Sequence, residues 1–484
     1  MSRRASRQLR VVEAALALAL FGVLLGARDL PLVDLPQHAV QLASWLRINA
    51  GDPSTSELEL NFRTPYLLAY PVAHELSRLL PVLVALKLTF GVALALQAFT
   101  LRKLCESLGH DPWLGLLGFP LGLGYSFCWG FVAFCAALPL VYLAFLFAVS
   151  HRKAPTFERG LALALSLGLL LVAHGVALGF LLVLLGPLLL WGGGAWWQRL
   201  CPLGAPPLLG AAWLLPGGTS TRLGADVWAF EPERLLELPG QLVGIGAADG
   251  SSTLFGCLLL VAVGASVGAP RSLPLAFPLL ASLCGYLFFP SMFRGAGPLG
   301  PRFGCYVVPA LLIAFAPRGE EAPRRRTARR ALILGVAAGV PLLFGWRLVA
   351  FNREMSDFRA LLARIPGGLR VRPIVFERGS AAFPGNPAHL HVPAYYALEK
   401  GGSAGYSFAM YSISVVRFRP GVRIKMGGGA EWAPERFDAE REGDDYDYFI
   451  VKSAAERTDA LFPGPNPVAV LDGRVGDWWG YKKP

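Results

Sequence analysis

Between residues 11 and 350 the chain is a succession of apolar runs, each near the length that crosses a ~30 Å hydrocarbon core. Lipid offers no partner to a bare N–H or C=O, so a crossing segment must be an α-helix or a strand of a closed barrel. Barrel strands alternate polar and apolar residues, and these runs do not. Runs near 11–27, 80–101, 112–127, 131–150, 159–173, 176–192, 201–215, 252–268, 273–289, 303–317 and 331–350 predict about 11 spans in a polytopic α-helical membrane protein.

Composition then locates a second part. The chain of 484 residues is 54% hydrophobic and 16% charged, with mean hydropathy +0.47. Yet residues 351–484 hold 16 of the 33 acidic residues. This divides the chain into a transmembrane helical domain, 1–350, with exterior loops at 28–79 and 216–251, and a soluble domain, 351–484. In the latter, Phe358–Ile365 reads as a short helix, and VRPIVFE, SISVVRFR, YDYFIVK and PVAVL as strands between Gly/Pro breaks, a small α+β domain.

The net charge of +12 follows the same partition: 27 basic against 17 acidic residues before 351, and 18 against 16 after it. No basic stripe interleaved with aromatics appears, which argues against nucleic acid as a partner. With the N-terminus in the cytoplasm, 17 of those 27 basic residues fall on inner segments, the RRRTARR run at 324–330 among them. Eleven spans then put the tail outside a cytoplasmic (inner) membrane. The seven cysteines show no metal spacing and read as small core residues. No GxxxxGK[ST] loop occurs, which argues against a nucleotide-driven pump.

Several residues are candidates for chemistry. Asp34 and His38, in DLPQH, are four apart and share a face if a helix begins at Pro36 and runs to about Asn49, burying Leu42, Trp45 and Leu46. A carboxylate beside an imidazole can activate a hydroxyl; Asp34 as a helix cap with His38 packed at the interface is the plainer alternative. His174, where two spans meet, is either a cavity residue or part of an interfacial turn. Arg294 and Arg302 can hold a phosphate or snorkel to head groups. His389 and His391 form a potential metal pair, with a structural role preferred for want of a third ligand. Asp226, Glu231 and Glu233 read as solvated loop acids.

The layout resembles the bacterial GT-C-type membrane glycosyltransferases. The resemblance rests on VDLPQHAVQLASWL, YLLAYPVAHELSRLLPVLVALKL, GFVAFCAALPLVYLAF, the His174-Gly175 turn, RFGCYVVP and, in the tail, HLHVPAYYALEKGGSAGYSFA, WAPERFD and DYDYFIV. It implies a sugar donor on a polyprenyl phosphate, a glycan, lipid or protein acceptor, Asp34 as base or acceptor-binding group, and Arg302 on the donor phosphate. Many relatives pair two acids in this loop. Here the nearest others are Asp29 and Asp52, so no metal is assigned and a divalent ion stays an open alternative. A lipid-linked-glycan transporter would need charges inside spans, and only Glu13, Glu75 and Lys87 lie in or near them. A non-catalytic assembly protein is the other alternative.

Overall fold

The computed structural model describes residues 3–214, 231–246, 248–290 and 297–484. Contacts sort the chain into two compact units. One comprises Met1–Gly26, Arg63–Val72 and Lys87–Gly345; the other comprises Ala27–Phe62, Ala73–Leu86 and Trp346–Pro484. The second unit thus draws in loop segments that the sequence partition groups with the membrane part.

The first unit is helical. Its helices include Arg3–Gly26, Val132–Lys153, Phe157–Ala173, Gly175–Leu190, Trp196–Leu214, Gly250–Gly264, Leu273–Phe288 and Gly304–Ala314, with most of Val82–Leu108. Among the described residues, four helices are long and apolar enough to cross a membrane: Ser6–Gly26, Val82–Leu108, Val132–Lys153 and Pro323–Arg364. The fold is that of a polytopic membrane protein.

The run at 112–127 does not make a single helix. It folds as a 3-10 segment, Pro112–Leu117, then Gly118–Gly122 and Tyr125–Cys128. A Cβ at Gly118 would lie 2.4 Å from the Ala98 Cα, so this stretch packs backbone to backbone on Val82–Leu108.

Basic residues close the helix ends. The last carbonyls of a helix lack partners within it, and here arginines supply them. Arg152 Nε donates to Leu188 O at 3.1 Å, Arg199 Nε to Leu189 O at 2.7 Å, and Arg318 to Ala265 O at 3.0 Å. Arg329 and Arg330, from the RRRTARR run, both bind Asp111, at 3.1 and 2.8 Å.

Pro323–Arg364 is 42 residues long. At 1.5 Å per residue it extends about 60 Å, twice the hydrocarbon thickness. The expected separate helix at 358–365 is its final turns, because nothing between 351 and 358 breaks the pattern.

Beyond it the second unit builds a five-stranded sheet in the order Ser403–Ala404, Arg370–Val375, Tyr448–Lys452, Trp478–Lys482, Val470–Val475. The central Tyr448–Lys452 is buried along its whole length, parallel to Arg370–Val375 and antiparallel to Trp478–Lys482. Ile374, Phe449, Val451, Phe462 and Tyr481 form the core. Two expectations shift. SISVVRFR contributes only Val416–Phe418, paired with Leu58–Leu60 outside the main sheet. PVAVL yields a strand displaced to Val470–Val475, hairpinned to Trp478–Lys482 through Gly476 at φ +56°.

The segment entering the loop helix Leu35–Asn49 is locked to the lower part of the long helix. Asp29, 2% exposed, is ion-paired with Arg359, and its backbone N–H donates to Asn352 Oδ1 at 2.9 Å while Asn352 Nδ2 returns a bond to Asp29 O. Removing one partner leaves the other charge buried, which costs about 3–5 kcal/mol. Asp29→Ala is therefore expected to lower the apparent melting temperature in detergent sharply, and Asp29→Asn less so. An unchanged melting curve for Asp29→Ala would show that the pair adds nothing.

Candidate active site

The loop helix starts where the sequence indicates. Pro36 sits in its first turn, where a missing N–H costs nothing, and Leu42 and Trp45 are buried while Leu46 is partly so. Two amides fix its position in the second unit. Gln37 Nε2 donates to Tyr406 O at 3.1 Å and Gln37 Oε1 accepts from the Phe408 N–H at 3.3 Å; Gln41 Oε1 accepts from the Val416 N–H at 2.9 Å. Asn386 Nδ2 adds a bond to Pro31 O at 2.7 Å.

Asp34 stands at the N-cap, but its carboxylate accepts no hydrogen bond from the first turn. An acid in this position ordinarily caps. Here the side chain meets His391 instead, with Oδ1 3.1 Å from Nδ1. The N–H direction is not aligned, and neither His391 ring nitrogen has a hydrogen-bond partner. The imidazole is nonetheless clamped: it stacks on Tyr406, centroids 5.1 Å apart at 16°, and meets the Phe408 edge at 5.8 Å.

His38 lies on the other side of Phe408, edge-on at 5.4 Å. Burial holds its imidazole down at about 4; Asp34 pulls it up and His391 adds to the depression. It is neutral at physiological pH. Asp34 and His38 are thus electrically coupled as their spacing suggests, while the imidazole in contact with Asp34 is His391.

Glu431 completes the cluster. Burial raises its carboxyl, against a backbone hydrogen bond and the pull of His391, and one of its oxygens is buried without a hydrogen-bond partner. Gln37, Leu390, His391, Tyr406 and Glu431 line a small cleft. Among the described residues no three His, Cys, Asp or Glu are arranged to hold a metal ion.

The other acids near the loop helix are used structurally. Asp29 is taken by Arg359, and Asp52 accepts from the Ser54 N–H at 2.9 Å, starting a 3-10 turn. His389 and His391 lie in a turn rather than a strand, so they do not share a face. His389 Nε2 is 3.3 Å from Glu354, and the two imidazoles serve different carboxylates.

Arg302 and His174 belong to the helical unit. Arg302, 8% exposed, sits in the 3-10 turn Gly300–Phe303, its guanidinium 3.7 Å from the Phe131 centroid. Its Nε and one terminal nitrogen donate to Pro298 O (2.8 Å) and Gly297 O (2.7 Å). With Tyr125, Ser126, Gln241 and Cys305 it lines a second cleft. His174 joins Phe157–Ala173 to Gly175–Leu190 in extended conformation, and its Nδ1 accepts from the Ala177 N–H at 3.2 Å, capping the second helix. Its ring packs edge-on between Tyr66 and Phe134, 4.9 and 5.1 Å away. Arg294 and Asp226 lie outside the described residues; Glu231 bonds Arg234 at 2.9 Å.

Sequence reasoning did not place Tyr406 or Glu431 in this cluster and gave His391 a structural part. The only signal was that HLHVPAYY, GYSFA and EWAPERFD carry histidine, tyrosine and acid in a tail otherwise rich in strand and turn residues.

No protein-family model matches the chain, and no curated protein matches it in sequence. Solved structures do match in fold. ArnT from Cupriavidus metallidurans bound to undecaprenyl phosphate aligns with TM-score 0.58 at 11% identity, over 98% of this chain and 97% of that one. The apo state of the same protein gives 0.56 at 12% identity, over 99% and 98%. Arabinofuranosyltransferase AftD from Mycobacteria gives 0.53 at 15% identity over all of this chain, which spans 40% of AftD's length. The chain shares the fold of these proteins.

The depressed titration of His38 has a thermodynamic consequence. Its folded value lies below the ordinary 6.5, so the unfolded chain binds the proton more tightly. The stabilisation is complete above pH 6.5 and is lost as the pH falls towards 4. Wild type is expected to lose stability relative to His38→Gln across that window, with a constant difference on either side. Parallel melting curves of the two proteins from pH 8 to 4 check this.

Proposed function

We propose that the chain is an inner-membrane glycosyltransferase that moves a sugar from a polyprenyl-phosphate donor to an extracytoplasmic glycan, lipid or protein acceptor. One observation carries the reading: the fold follows ArnT, solved with undecaprenyl phosphate, over nearly the full length of both chains. The Asp34 carboxylate, mostly withdrawn from solvent and unused as a cap, supplies a group of the right chemistry.

In the proposed step a lone pair of the acceptor hydroxyl attacks the anomeric carbon. The carbon–oxygen bond to phosphate breaks, its electron pair leaves with polyprenyl phosphate, and the hydroxyl proton goes to Asp34. That leaving group needs no strong acid, so the reaction calls for positioning and one base and is written without a metal. Arg302 takes the donor phosphate; its contacts to two carbonyls and to Phe131 hold the guanidinium plane in place for it. His174 maintains the helix junction. About 11 spans, a cytoplasmic N-terminus and an extracytoplasmic tail complete the proposal, supported by the basic residues of the inner segments.

Asp34→Asn is expected to lower turnover on a panel of polyprenyl-phosphate sugars by about 10²–10⁴-fold, the contribution of a positioned base, while inserting and melting as wild type does. Full turnover in that variant would reject Asp34 as the base, and no turnover by wild type under any donor would favour a non-catalytic assembly protein. Arg302→Lys keeps the charge and loses the paired donors. It is expected to raise the donor KM about tenfold or more, the value of one or two charge-assisted bonds, with less effect on the acceptor KM.

A further inference from the structure

We propose that His391 is the positioning residue of Asp34, holding one carboxylate oxygen so that the other is presented to the acceptor hydroxyl. The inference rests on the transferase reading above and adds to it a residue from the other end of the sequence.

Three features carry it. The first is the contact itself, 3.1 Å between Nδ1 and Oδ1, made by an acid that forgoes the capping bond its position offers. The second is the gradient of exposure: the Asp34 side chain keeps 13% of its surface, and that of His391 only 5%. Asp34 is the more exposed of the two, and His391 lines the small cleft beside it. The third is unspent bonding capacity. Both ring nitrogens of His391 and one Glu431 oxygen are buried without a hydrogen-bond partner. Such groups are costly when left unmade, and a ring packed on Tyr406 and Phe408 cannot turn away to solvent. Catalytic hydrogen bonds often align only when substrate is bound. The small rotation that brings the Nδ1–H onto Oδ1 is of that kind.

The charge logic is consistent. With the Nδ1–H turned onto it, one carboxylate oxygen is held and the other is left for the acceptor, and once Asp34 receives the acceptor proton the imidazole keeps it from swinging away. The titratable groups facing His391 are Asp34 and His38 from the loop helix and its N-terminus, Tyr406 and Tyr411 around Phe408, and Glu431 from the turn Ala430–Trp432. Glu431 interacts electrostatically with His391 and lines the same cleft.

The test compares substitutions that keep different parts of the ring. His391→Asn places an amide N–H close to the Nδ1 position, His391→Gln places one close to Nε2, and His391→Phe keeps the stacking on Tyr406 without either nitrogen. The full-length protein in detergent is assayed with polyprenyl-phosphate sugars, and the ring resonances of Cε1-labelled histidine are followed through a pH titration. The expected result is a kcat at least 10-fold below wild type for the Gln and Phe variants, an Asn variant within about 3-fold of wild type, and unchanged donor KM throughout. The His391 resonance should shift in Asp34→Asn. Wild-type kcat in His391→Phe, or equal losses in the Asn and Gln variants, overturns the positioning role even where Asp34 is essential. Absence of transfer by wild type, with the Asp34-linked shift of the His391 resonance present, would instead reject the transferase reading while leaving the pair intact.

Discussion

A carboxylate that is 2% exposed needs a cation held as firmly as itself, and Asp29 has that cation in Arg359. Arg359 lies near the end of the 42-residue helix, and Asn352, two turns earlier on the same face, bonds both the N–H and the C=O of Asp29. The chain leaves this lock five residues before Asp34. With its entry fixed there and its first turns fixed by Gln37 and Gln41, the loop helix has no freedom to slide. Asp34 consequently meets His391 at one distance and one angle, and the geometry on which any acid–base role depends is inherited from bonds that take no part in it.

This division of labour explains why the acids around the loop helix are not equivalent. Asp29 and Asp52 are fully committed, one to a guanidinium and the other to a turn N–H. Asp34 alone of the three faces a partner with bonding capacity left over. Counting acids in a loop cannot separate these cases, since the three differ in their surroundings and not in their chemistry.

The same distinction marks how far the sequence could be read. Local information was legible: apolar runs long enough to span a bilayer, a helix opened by Pro36, the buried YFIVK strand, and the turn at His174. Each is set by periodicity or by one residue's backbone preference. What was not legible depends on distant pairings. The run at 112–127 looked like a span, but its glycines are there for close packing on a neighbouring helix, and close packing does not show in hydropathy. The final strand Trp478–Lys482 was hidden because DWWGYK lacks a long alternating stretch and depends on Gly476 adopting positive φ. His391 resembled an ordinary tail histidine, since its partner is more than three hundred positions earlier.

Fold likeness at 11–15% identity therefore constrains the scaffold and leaves the chemistry to be argued locally. In the helical unit, Arg302 is preorganised by two carbonyls and an aromatic face, in a cleft with tyrosine, serine and glutamine around it. An arginine kept only to snorkel would reach for solvent, whereas this one is 8% exposed and turned inward. In the other unit, an acid, two imidazoles and a second carboxyl surround Phe408 with several polar atoms unmet. Both places accept a cost in stability that apolar packing would have avoided. Costs of that kind, at a buried cation and at an acid–imidazole contact, mark the positions where local chemistry has overridden packing.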